Sequence, residues 1–126
     1  MNIIFGNSVD SIPNHYTVLE LDTFRPADSN KTMTAYCLVE KLTLDEFVTL
    51  EHYKQIHADV IKYYKQKHWD YCEQAIQGLM GRWSGELDTF YQDLLNRVIH
   101  NKLNGVADDW DAILVKQVNF SLESIG

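Results

Sequence analysis

Between Leu44 and Gln77 the chain carries neither glycine nor proline. Nothing in that run breaks a helix outright, so helix must dominate the middle of the fold. Tyr53, Ile56, Val60 and Tyr64 recur there at helical spacing. Thr43 and Glu46 form a Thr-x-x-Glu capping box, with Leu42 and Phe47 placed for a hydrophobic staple. A helix is therefore expected to start near Leu44. Lys62, Lys65 and Lys67 cluster where the helix dipole favours cations, and Asp70 and Glu73 follow as a new cap-like pair. The apolar face also rotates, with Trp69 falling about opposite Val60. These signals predict a break near 67–69 and helices over 44–67, 70–80 and 84–103. Leu87, Phe90, Tyr91, Leu94, Val98 and Ile99 give the last of these its apolar stripe, and Asn104-Gly105 its left-handed stop.

The first forty residues read as β. "YTVLELDTF" (16–24) and "KTMTAYCLVE" (31–40) alternate around the turn-forming "RPADSN", which predicts a hairpin. Alternation places Val18, Glu20 and Asp22 on one face of the first strand and Leu19, Leu21 and Thr23 on the other. Met33, Ala35, Cys37 and Val39 share a face of the second strand. A hairpin alone is marginal in water, so the helices are expected to cover one side. "AILVKQVNFSL" (112–122) fits a helix through Trp110, Ile113, Leu114 and Val118, but its β-branched content favours a strand. The fold class expected is α+β: an N-terminal β-hairpin, three helices on one face of a small antiparallel sheet, and a C-terminal strand.

At 126 residues the chain is expected to form a single domain, 1–126, with a core that needs no staples. Its apolar runs, such as "IIF" and "ILV", are too short for a membrane span or signal peptide, so a cytoplasmic protein is expected. Cys37 and Cys72 form no close-spaced pair and read as buried thiols, with a disulfide left open. The net charge of −7 is spread evenly, which disfavours nucleic acid as a partner.

Few residues carry a chemical signal. Glu20 and Asp22 have a spacing that lets two strand carboxylates hold a divalent cation, as metal-dependent nucleases do. "KYYKQKHW" (62–69) is locally basic and aromatic, so Tyr63, Tyr64, Lys65 and Trp69 form a candidate binding patch. His52 and His57 lie five apart, about 140° around a helix, which is a poor zinc pair. They read as exposed or core-edge histidines. "DDWD" (108–111) departs from a calcium loop and reads as a turn or strand entry anchored by Trp110.

Two resemblances accompany these signals. "YYKQKHWDYCEQAI" looks like the turn between the helices of a tetratricopeptide repeat, with Lys67 where that family usually has glycine. The segments "VLELDTF", "TAYCLVE", "GRWSGELDTFY" and "DDWDAI" are similar to small uncharacterised proteins encoded by marine tailed phages, which implies a protein acting inside an infected bacterium. The expectation is a non-enzymatic accessory protein, without cofactor, that binds a protein partner or self-associates, for instance as a homodimer. The alternative is a metal-dependent hydrolase of nucleotides or nucleic acid working through Glu20 and Asp22.

Overall fold

The computed structural model describes residues 1–6, 12, 16–39 and 44–116. In chain order the elements are β1 (Asn2–Phe5), β2 (Thr17–Pro26), β3 (Met33–Val39), α1 (Leu44–Val48), α2 (Leu50–Lys65), α3 (Trp69–Leu79), α4 (Asp88–Asn104) and β4 (Ile113–Lys116). The four strands form one sheet in the order β1-β3-β2-β4. The α+β class is as the sequence predicts, with the hairpin of β2 and β3 at its centre. Leu19, Leu21, Ala35, Cys37 and Val39 of the sheet share a single core with Val60, Tyr64, Cys72, Ile76, Leu79, Leu94 and Val98 of the helices.

The sheet is mixed rather than antiparallel. β4 lies parallel to β2, with Thr23 opposite Ile113 and Pro26 opposite Lys116. A tight turn can join only antiparallel neighbours, but the chain reaches β4 by way of all the helices, and a crossover of that length allows a parallel approach. Residues 117–122 of the expected strand lie outside the described residues.

A bulge in β2 corrects the alternation as well. Glu20 pairs with Tyr36, but the next matched pair is Thr23 with Thr34, so Leu21 and Asp22 together oppose Ala35. The extra residue reverses the facing of everything after it. Thr23 therefore leaves the core face and hydrogen-bonds Thr34 across the strands, Oγ1 to Oγ1, at 2.8 Å. Phe24 moves into its place and packs on the core. Met33, the residue opposite Phe24, stays partly exposed.

The predicted helix over 44–67 is interrupted once. Thr49 separates α1 from α2, and its hydroxyl, at 3.2 Å, shares the Asp45 carbonyl with its own N–H, at 3.3 Å. Phe47 is 66% exposed, so it makes no buried staple, while Leu42 and Thr43 of the capping box lie outside the described residues. The break at 67–69 is present and has a defined geometry. His68 N–H donates to the Tyr63 carbonyl and Lys67 N–H to the Tyr64 carbonyl, the two reverse bonds of a Schellman motif. Lys67 sits at its left-handed position with φ of 65°, and the His68 ring meets Tyr63 edge-on at 5.3 Å.

α4 begins at Asp88, four residues later than the apolar pattern implies. Trp83, Ser84 and Gly85 take φ of 55°, 56° and 75°, a left-handed turn that cannot continue into a right-handed helix. Burial of the Trp83 indole, 2% exposed, holds that costly backbone in place. Gly105, φ 74°, ends α4 as expected.

The Schellman geometry yields a prediction. A side chain at a left-handed position costs about 1 kcal/mol, part of which glycine gives back as entropy of the unfolded chain. Lys67→Gly is expected to stabilise the fold by roughly 0.5–1 kcal/mol, read as a rise of a few degrees in the calorimetric melting temperature. A lower melting temperature would show that the lysine side chain contributes more than its backbone costs.

Candidate functional site

A buried chain of hydrogen bonds joins α2, α4 and the sheet. Trp83 Nε1, which can only donate, lies 3.0 Å from Tyr91 Oη. Tyr91 Oη lies 2.8 Å from His57 Nδ1, and His57 Nε2 lies 2.6 Å from the Glu20 carbonyl oxygen, which can only accept. These constraints assign every proton. The indole donates to the phenol, the phenol to Nδ1, and Nε2–H to the carbonyl, with the imidazole neutral. Burial drives the His57 pKa below its ordinary 6.5, against the opposing pull of the Glu20 carbonyl and carboxylate. Burial likewise raises the Tyr91 phenol. β4 pairs with β2 only from Thr23 onward, so His57 serves a stretch of β2 that β4 does not reach.

His57 is thus 2% exposed and fully engaged, not a core-edge residue, while His52 is exposed and lies edge-on to Tyr53. The sequence held the signal. His57 lies three and seven residues before Val60 and Tyr64, on the stripe that faces the core.

Glu20 and Asp22 do not converge on a common point. The bulge between them ends the two-residue period that would have aligned them. Lys65 Nζ holds Glu20 Oε2 at 2.7 Å. Arg97 of α4 forks onto both Asp22 oxygens at 3.0 and 2.8 Å and also reaches Tyr64 Oη at 3.4 Å. A divalent cation would have to displace a different cationic side chain from each acid. Among the described residues, no three His, Cys, Asp or Glu side chains gather where they could hold a metal.

The structure also divides the basic–aromatic stretch. Tyr64 is buried and packs edge-on against Trp69 at 5.8 Å and Trp110 at 5.5 Å, while the two tryptophans meet at 5.4 Å. Trp110 is thereby the anchor expected of "DDWD", and Asp111 Oδ1 accepts the Ile113 N–H at the entry to β4. Tyr63 turns the other way, toward His68 and toward Tyr71 at 4.8 Å. Lys65 points to Glu20. Tyr64 and Trp69 thus share one aromatic cluster, while Tyr63 and Lys65 each serve a different contact.

Lys65 does belong to a different surface that the sequence did not single out. A groove of about 520 Å³ runs between α2 and the β2–β3 pair. Lys54, Ala58, Ile61, Lys62 and Lys65 line one wall, and Val18, Glu20 and Tyr36 line the other. Helical spacing puts the first set on one side of α2, and pairing of Glu20 with Tyr36 puts those two side by side across the strands. The groove could not be found from sequence, because its walls come from separate strand and helix segments that only the fold brings together.

Both cysteines are fully buried and unbridged, and burial pushes each thiol up to about 11. Cys72 directs its S–H to the Val60 carbonyl at 3.6 Å. Thiols of this kind are not nucleophiles near neutral pH.

The buried chain makes two predictions. Because burial lowers the His57 pKa, the native state favours the neutral ring. Its contribution is complete above pH 6.5 and is lost as pH falls through the folded value. The urea midpoint should therefore drop between pH 7.5 and 5, and by less in a His57→Gln variant. Equal slopes in the two proteins would dismiss the linkage. Tyr91→Phe leaves Trp83 Nε1 and His57 Nδ1 without their partner, and a loss of about 2–4 kcal/mol is expected from denaturant unfolding.

No helix among the described residues is long and apolar enough to cross a membrane. No family model matches the chain, and neither a curated protein nor a solved structure matches it.

Proposed function

We propose that this protein is a non-catalytic binding module that engages another protein chain through the groove beside α2. The carrying observation is the groove itself, where three lysines of one helix face stand over the apolar Val18, Ala58 and Ile61 and beside the half-buried Tyr36. Protein recognition favours this mixture of an apolar floor, an aromatic side chain and a polar rim. The rest of the chemistry supports binding over catalysis. The buried imidazole already has a partner on each nitrogen, the thiols are held protonated, and Glu20 and Asp22 are neutralised by Lys65 and Arg97.

Tyr36→Ala combined with Lys62→Glu tests this reading, because both residues border the groove and neither belongs to the core. The wild-type protein is expected to retain a partner in affinity capture. The double variant should lose it at least tenfold while melting at nearly the same temperature. Sedimentation of both proteins reports whether that partner is a second copy of the chain. Equal capture by the two proteins, or a wild-type monomer that captures nothing, would remove the groove as the binding surface.

A further inference from the structure

The groove's charge and length define what it accepts, given the reading above that it is a binding surface. Lys54, Lys62 and Lys65 stand on one side of α2. At 1.5 Å of rise per residue, Lys54 and Lys62 are about 12 Å apart along the axis, with Lys65 roughly 4–5 Å beyond. A lone phosphate or carboxylate meets only one end of that row. An extended chain advances about 3.3 Å per residue, so acids at positions i and i+4 lie roughly 13 Å apart on the same side of it.

The existing partners of these lysines point the same way. Lys65 already holds the groove's own Glu20 at 2.7 Å, which shows that a carboxylate fits there. Among the described residues, the ion pair of Lys54 is a 3.7 Å contact with Glu51, whose side chain is 86% exposed. Lys62 makes no ion pair among the described residues and lies 5.4 Å from the Tyr63 ring centroid. Three ammonium groups against the Glu20 carboxylate leave the lining net positive, in a chain whose total is −7. A local positive groove on an acidic protein attracts acidic segments to that place and repels them elsewhere.

We infer that the groove takes an extended acidic segment of a partner protein, with carboxylates four residues apart facing Lys54 and Lys62. Small apolar side chains between them cover Val18 and Ala58. Glu20 competes with the segment for Lys65 and so weakens its binding.

Fluorescence anisotropy with the full-length protein tests this with three labelled eight-residue peptides. One has glutamates at i and i+4 separated by alanine and valine, the second has glutamine at both positions, and the third has adjacent glutamates. The first is expected to bind roughly tenfold tighter than either control, and more weakly as salt rises. Lys54→Gln and Lys62→Gln should each weaken it several-fold, and Glu20→Gln should tighten it, since that substitution releases Lys65. Equal binding of the glutamine peptide would overturn recognition by charge while leaving the groove a protein-binding surface. Equal binding of the adjacent-glutamate peptide, or displacement by millimolar inorganic phosphate, would reduce the groove to a general anion site. Failure of all three peptides, with partner capture still lost in the Tyr36→Ala, Lys62→Glu protein, would overturn the acidic segment alone. Failure of the peptides and of groove-dependent capture together would overturn both readings.

Discussion

The hydrogen-bonded chain from Trp83 through Tyr91 and His57 to the Glu20 carbonyl fixes how the helices sit on the sheet. It runs from the left-handed turn before α4, across α4, to α2 and into β2. Each polar atom in it is buried or nearly so, and a buried polar group without a partner costs more than a made bond returns. The three side chains therefore have one acceptable arrangement, which sets the distance between α2 and β2. The groove lies in that spacing, with His57 among its lining residues.

The bulge at Leu21 and Asp22 complements this chain. Ahead of it, Leu19 faces the core, and Glu20 supplies a carbonyl to His57 and a carboxylate to Lys65. Beyond it, Thr23 and Phe24 have exchanged faces and β4 begins to pair. Asp22, at the bulge, is gripped by Arg97 at partly buried positions on both sides. One inserted residue thus separates two acids that strict alternation would align. It gives one to the groove and the other to a fork that ties α4 to the sheet.

Much of the local structure was legible in the chain. The break between α2 and α3, the end of α4 at Gly105, the β2–β3 hairpin and the buried stripe of Phe90, Tyr91, Leu94 and Val98 all follow from nearest-neighbour signals. The start of α4 was misplaced because the left-handed positions are filled by Trp83 and Ser84, residue types that do not signal such a turn. Its stability comes from burying an indole against α4, a contact that sequence spacing does not display. The candidate binding residues are divided among different contacts for a related reason. Tyr63 and Tyr64 are neighbours in the chain but lie about 100° apart around the helix, so one meets Tyr71 and the other the tryptophans.

By itself the sequence determined the α+β class, the hairpin, the helical middle and the apolar positions of the core. Those depend on backbone propensity and on periods of two and 3.6, which are local properties. Only the tertiary structure decided that β4 runs parallel to β2, that His57 closes a buried polar chain, that Glu20 and Asp22 go to different cations, and that three lysines overlook a groove. Each of these joins residues of elements that are not neighbours in the sequence. Partners so distant are selected by the packing of whole elements, where burial leaves each polar group few places to go.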